Sequence, residues 1–304
     1  MSTTGRSPGP RSTATSGSWL RFRPPRYGFG GGPIGRLPEP VGDALAQATI
    51  DSAYGAGIRY FDTAPRHGLG ASERRLGEAL SRHPRRDYLV STRAGELIVD
   101  GKLEYDFSAD GLLRSLAASL DRMGLEAVDL VLVDQAEQCW EKVCPVLREL
   151  RDQGAIKAFG VTTRKPDELA PLVRETDLDV VLLSGRYTLL DQSAGPLLHL
   201  CRERGVAVIA GGVFGSGLLS GQASAAADPD LVILSQRIAA VCEQYGVSLP
   251  QAALAFPVRH PAITSILVGA ASPAEIRSDA KLVRQAVPPD LWRELSDQGL
   301  INAV

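Results

Sequence analysis

Eight short apolar segments recur along the chain, alternating with longer amphipathic stretches. The short segments are Tyr27–Gly31, Ile58–Thr63, Tyr88–Arg93, Val128–Asp134, Ile156–Thr162, Asp179–Ser184, Val206–Gly212 and Thr264–Gly269. Gly, Asp or Pro bounds each one, and most are rich in Val, Ile or Leu, as strands are. Runs such as VDLVLV are apolar without alternation, which suits strands covered on both faces and therefore a parallel sheet. The intervening stretches carry helix periodicity and helix stops. In Ala109–Arg122 the residues Leu112, Leu116 and Leu120 recur every four positions, and Gly124 follows. Glu141–Gln153 stops at Gly154 and Gln192–Arg204 at Gly205. Val41–Tyr54, Ser72–Ser81, Val232–Tyr245, Gln251–Phe256 and Pro273–Gln285 complete the set. Eight strands alternating with helices predict an α/β fold, a (β/α)8 TIM barrel over residues 27–304. A doubly wound dinucleotide fold is disfavoured, because Gly28-Phe29-Gly30-Gly31-Gly32 runs into Pro33 rather than into a helix.

A barrel also resolves the length. The 304 residues suggest two domains at ~100–200 residues each, yet α/β barrels use ~250 as one. The net charge of −2 hides an asymmetry. Residues 1–26 hold five arginines and no acid, so a basic N-terminal tail precedes an acidic barrel. The opening MSTTGRSPGPRSTATSGS is Ser/Thr/Gly/Pro-rich and is expected to be disordered, since it has too little apolar surface to offset its ordering entropy. It lacks the apolar core of a secretory signal, which points to a cytoplasmic protein. No run of ~18 apolar residues is long enough to cross a membrane. The near balance of 33 basic and 35 acidic residues argues against a nucleic-acid partner. Four cysteines are too few for a disulfide framework, and Cys139-x4-Cys144 lacks zinc spacing, so no metal is expected.

In such a barrel the chemistry belongs at the C-terminal ends of the strands. Asp62 ends the second apolar segment, and His67 follows in the Gly-rich turn of FDTAPRHGLGASERRLG. Arg93 ends the third segment and Asp134 the fourth. Three charged residues and a histidine thus converge on one rim. An Asp62–Arg93 ion pair is expected, with Ser72 capping the next helix. His67 beside Asp134 is expected to form an acid/base pair, the carboxylate raising the imidazole pKa. Trp140 and Tyr187 are candidates for lining the substrate pocket, against the plainer reading of packed aromatics. A small-molecule substrate is the expected partner.

The same segment resembles the aldo-keto reductase signature. GRYTLLDQ (Gly185–Gln192), CRERGVAVIAGGVFGSGLL (Cys201–Leu219) and AALAFPVRHPAITSILVGAASPAE (Ala252–Glu275) resemble the branch of aldose and pyridoxal dehydrogenases. The resemblance spans roughly residues 27–301. It implies hydride transfer with NAD or NADP and a tetrad of Asp, Tyr, Lys and His at the ends of strands two to four. Here Asp62 keeps the Asp, but His67 stands at the Tyr position, Arg93 at the Lys position and Asp134 at the His position. A carboxylate at Asp134 repels a developing alkoxide by ~4 kcal/mol at 4 Å and an effective dielectric of about 20.

The resemblance also places a cofactor along Thr162, along the turn Gly215, Ser216, Gly217 and Leu218, and along Gly269, Ala270, Ser272, Glu275 and Asp279. Backbone N–H groups of a Gly/Ser loop suit a pyrophosphate. Glu275 stands where other branches hold a 2′-phosphate with arginine, and with Asp279 it disfavours NADP and tolerates NAD. Three functional readings follow. The first is a repurposed enzyme doing non-redox acid/base chemistry (isomerisation, dehydration or cyclisation) on a small carbonyl metabolite. The second is an NAD(P)-dependent oxidoreductase acting on an aldose or aldehyde with His67 as the acid. The third is a non-catalytic binding protein.

Overall fold

The computed structural model describes residues 20, 22–35, 41–222 and 227–302, and for Glu137 the backbone alone. Eight parallel strands close a barrel: β1 (Tyr27–Gly30), β2 (Tyr60–Asp62), β3 (Leu89–Arg93), β6 (Leu130–Asp134), β7 (Ala158–Thr163), β8 (Val180–Ser184), β9 (Ala207–Gly211) and β10 (Ile263–Val268). Each strand pairs with its neighbours in chain order, and β10 closes on β1. Outside them lie α1 (Asp43–Gly55), α2 (Ala71–Leu80), α3 (Ala109–Met123), α4 (Ala136–Asp152), α5 (Pro166–Glu175), α6 (Gly195–Arg204), α7 (Pro229–Gln244), α8 (Leu249–Ala255), α9 (Pro273–Leu282) and α10 (Pro289–Asp297). Among the described residues no helix is long and apolar enough to cross a membrane.

Strand side chains alternate, and the alternation separates two cores. Tyr60, Leu130, Leu132, Ala158, Val180, Leu182, Ala207, Ile209 and Leu267 point inward and fill the barrel. Phe61, Val90, Val131, Phe159, Val181, Val208 and Ile266 point outward beneath the helices. Both sets are apolar, which is why the strands read as unbroken hydrophobic runs. Gly28 fits the interior only as glycine, since a Cβ there would stand 2.6 Å from the Tyr60 ring.

The helices α5 and α10 are not among the expected stretches, and three further features depart from the sequence-based expectation. A hairpin of β4 (Glu96–Val99) and β5 (Lys102–Tyr105) follows β3, turning at Asp100 and Gly101, both with positive φ. That dipeptide is a strong hairpin signal, unused above. Helix α4 starts at Ala136, five residues earlier than expected, because Gln135 takes a left-handed φ of 53° and turns the chain straight off β6. The expected disordered tail lies mostly outside the described residues, but its last part is packed. Phe22 is buried edge-on against Tyr60 at 5.9 Å, and Pro25 accepts a hydrogen bond from Ser265 Oγ at 2.7 Å. The barrel floor is thus closed by residues assigned above to the tail.

Candidate active site

The inward parity that fills the barrel also selects what reaches its mouth. Following the inward parity to the end of each strand gives Asp62 on β2, Arg93 on β3, Asp134 on β6 and Thr162 on β7, two residues past the last inward apolar residue on β2 and β6 and four on β3 and β7. On the other half of the rim the same parity gives Ser184, Gly211, Gly269 and Gly30. One half of the mouth is therefore charged and the other nearly free of side chains. A Cβ on Gly30 or on Gly211 would meet nothing closer than 3.7 Å, so those glycines leave open space.

Asp62 and Arg93 are both buried and form an ion pair of 2.5 Å. Asp62 Oδ1 also accepts Ser91 Oγ at 2.6 Å, and Arg93 Nη1 donates to Thr63 O at 2.6 Å. Ser91 Oγ in turn lies 2.9 Å from the Tyr60 hydroxyl. The pair is thus anchored from below, and Arg93 is a fixed charge. A guanidinium is never deprotonated at physiological pH, so Arg93 is no proton donor.

His67 sits in the turn between β2 and α2. Its N–H donates to Ala64 O at 3.0 Å and its carbonyl accepts Ser72 N–H at 3.1 Å. Gly68 tightens this turn at φ 66°, where a Cβ would lie 2.1 Å from Gly35 O. Ser72 does not cap α2 as expected: the cap position is Gly70, while Ser72 Oγ bonds Gly31 O and Thr63 Oγ1, pinning the turn to β1. Burial, then Arg93 and Arg66, push the His67 imidazole down to about 3. It is neutral at physiological pH, and Nδ1 is buried with no partner among the described residues.

The expected His67–Asp134 pair does not form. Asp134 Oδ2 makes an ion pair with Arg66 Nη1, and no carboxylate raises the His67 pKa. Arg66 also reaches Glu96 on the hairpin, 2.8 Å from Nη1 to Oε1, and its backbone N–H donates to Glu96 Oε2 at 3.2 Å. Burial raises the Glu96 carboxyl against that pairing. Arg66 thus clasps three elements, and neither it nor Glu96 was singled out from sequence. Its position beside His67 in APRHG was the available signal. Asp134 Oδ1 is left buried without a hydrogen-bond partner among the described residues.

Two aromatic candidates lie elsewhere. Trp140, on α4, packs against the outward-facing Phe159 at 6.1 Å, in the layer between helix and barrel. Tyr187 stacks on Phe256 at 5.3 Å in the same outer layer. Both sit behind the strands because Trp140 belongs to the packing face of α4 and Tyr187 to the loop between β8 and α6, and neither takes an inward strand position.

The candidate cofactor positions divide. Thr162 faces the mouth, in register with Asp134, and its Oγ1 is buried without a hydrogen-bond partner among the described residues. The turn after β9 strings Gly215, Ser216 and Gly217 together at positive φ. The N–H groups of Gly215, Gly217 and Leu218 bond within the turn, to Gly212, Phe214 and Gly215 carbonyls, which leaves Ser216 N–H to offer. After β10, Ser272 Oγ caps α9 by accepting Glu275 N–H, and Glu275 Oε2 reaches back to accept Ala271 N–H at 2.9 Å. Glu275 thus holds a negative charge over the turn Gly269–Ser272. Asp279, one turn further on, is raised to about 6 by burial and then by Glu275. Arg277 points away and bonds Ser52. Thr162 Oγ1, with no partner among the described residues, and the half of the rim nearly free of side chains fit a nicotinamide dinucleotide.

A family model described as the Aldo/keto reductase family matches residues 26–296. The chain is 36% identical to D-threo-aldose 1-dehydrogenase of Pseudomonas sp, covering 91% of this chain and 94% of that protein. It is 34% identical to pyridoxal 4-dehydrogenase of Microbacterium luteolum, covering 90% and 94%. A solved glycerol dehydrogenase from Gluconobacter oxydans superposes with a TM-score of 0.76 at 22% identity, over 92% of this chain and 94% of that one, and shares the fold. Relatives matched over nearly their whole length are oxidoreductases. They overturn the expectation that the exchanges at His67, Arg93 and Asp134 mark a lyase or isomerase doing non-redox chemistry. The structure supplies the physical reason: the His67–Asp134 acid/base couple on which that expectation rested is replaced by the Arg66–Asp134 pair.

Proposed function

The chain belongs to the aldo/keto reductase family and is an enzyme, and from that premise we propose that it is an NAD-dependent dehydrogenase of a small hydroxylated substrate, an aldose by likeness to its relatives. The observation that carries this reading is Asp134 Oδ1 at the mouth, buried and with no hydrogen-bond partner among the described residues. A carboxylate oxygen only accepts hydrogen bonds, so it calls for a donor: the hydroxyl of an alcohol or hemiacetal, not a carbonyl.

When bound, a nicotinamide dinucleotide supplies the two-electron acceptor for the hydrogen leaving carbon. Ser216 N–H and the open half of the rim would hold it, together with Thr162 Oγ1 at the edge of the charged half and the acidic start of α9. The substrate hydroxyl donates to Asp134 Oδ1, which takes its proton as the carbon–oxygen bond becomes double. Arg66 holds Asp134 in the ionised form that this requires. The neutral His67 ring offers an N–H to the same oxygen, and Arg93 stabilises negative charge building there. Reduction would run through the same residues in reverse, with the protonated Asp134 as the proton donor. The neutral imidazole and the two guanidinium groups are poor proton donors, which leaves the proton transfer to Asp134.

The test is spectrophotometric. Purified enzyme with aldoses is expected to reduce NAD+ and to favour it over NADP+. Absence of both nicotinamide binding and turnover across hydroxylated and carbonyl substrates overturns the proposal.

A further inference from the structure

A second cavity lies on the flank of the barrel and shares no residue with the mouth. It has a volume of about 260 Å³ and is lined by Tyr187, Gln192, His199, Arg202, His260 and Asn302, among others. Gly195, His199 and Arg202 recur at i, i+4 and i+7, so they form one face of α6. Across from them, His260 is buried at the turn into β10. Its Nδ1 accepts Ala262 N–H at 3.2 Å, which places the ring proton on Nε2 as a donor. Its ring meets Tyr187 edge-on at 5.7 Å and His199 at 5.1 Å, giving the cavity flat walls.

No lining residue is acidic. Arg202 makes no ion pair with any described residue, although its charge and that of His199 bear on His260. Gln192 is already committed, its amide nitrogen to Thr188 O and its oxygen to Asn302 N–H. What remains available is a guanidinium and two imidazoles over aromatic surface, with no countercharge. A volume below the ~300–1,000 Å³ of drug-sized sites admits only a small ligand.

We propose that this cavity is a binding site for a small carboxylate with a flat, largely apolar body, its carboxylate held by Arg202 and His199 and its body against Tyr187 and His260. Burial and the neighbouring His199 and Arg202 hold the empty site's His260 down at about 4, a positive environment that an anion relieves. The site is separate from the catalytic reading above and stands or falls without it.

Benzoate is the probe, titrated calorimetrically into the full chain, with benzamide as the uncharged isostere. Saturable benzoate binding is expected, with none for benzamide. Loss of one charge-assisted pair is worth ~1.5–3 kcal/mol, so Arg202→Gln should weaken binding roughly tenfold or more. Arg202 and His199 are exposed, so Arg202→Gln and His199→Ala should fold as the parent does, checked by circular dichroism. Saturating NADH should leave benzoate binding unchanged. Equal benzoate affinity in Arg202→Gln, equal binding of benzamide, displacement by NADH, inorganic phosphate binding as tightly as benzoate, or no saturable binding would each overturn the proposal.

Discussion

The two oxygens of Asp134 have different fates: Oδ2 is taken by Arg66, and Oδ1 is buried and unclaimed. That split makes the residue testable on its own. Asp134→Asn keeps the size and the hydrogen bond to a hydroxyl but cannot take the proton. Dehydrogenation should fall ~10²–10⁴-fold in kcat with KM little changed, as removal of a general base does. Equal loss in KM and kcat would show a packing role instead. His67 gives a prediction of opposite kind. Its pKa lies near 3, so it stays neutral across the working range. The pH profile of dehydrogenation should show no limb near pH 6.5 that disappears in His67→Gln, and such a limb would refute the buried, neutral imidazole. The same shift affects stability. The native pKa is below the unfolded value of about 6.5, so the unfolded chain takes up the proton first as pH falls. The stability due to neutral His67 is present above pH 6.5 and drains away toward pH 3. Urea midpoints measured from pH 7 to pH 5 should fall more steeply for the parent than for His67→Gln. Asp62 and Arg93 were paired in sequence reasoning from strand ends alone. Arg66 and Glu96 were not, because a loop arginine carries no period by which to read its direction.

At the scale of elements, α9 begins with a reciprocal cap, Ser272 to Glu275 and Glu275 to Ala271, which sets a negative charge where the barrel meets the helix. One turn on, Asp279 is buried and also faces that charge. Its carboxyl is raised to about 6, above the ordinary ~3.9. A raised carboxyl destabilises the fold when ionised, so the penalty is full above pH 6 and vanishes below the unfolded value. Asp279→Asn should therefore raise the thermal midpoint at pH 7, with the gain shrinking as pH drops from 6 toward 4. A midpoint unchanged or lowered at pH 7 would refute this. The hairpin β4–β5 shows why some elements escaped the strand–helix alternation. Its strands are four residues each, half exposed, and belong to no repeat, so only the Asp100-Gly101 turn announces it. Helix α4 was misplaced at its start because a left-handed Gln135 is an unusual way to leave a strand.

For the whole molecule, the barrel has a floor as well as a mouth. Phe22 fills that floor against Tyr60, so Phe22→Ala should cost ~3–5 kcal/mol, read as a lowered urea midpoint with unchanged KM. A loss under ~1 kcal/mol would mean the segment is dispensable. The sequence by itself determined the closed parallel barrel, because strands buried on both faces must be continuously apolar and their helices must be stopped by Gly. It also determined which residues end the strands, since Asp62, Arg93 and Asp134 break apolar runs. Only the tertiary structure decided who pairs with whom. Parity sends Asp134 inward, but the distance between a loop and a strand end follows from how β2, the hairpin and β6 are brought together, and that packing gave Asp134 to Arg66. It likewise decided that Trp140 and Tyr187 lie in the outer layer, since an aromatic residue outside a strand has no alternation to show which side of the barrel wall it faces.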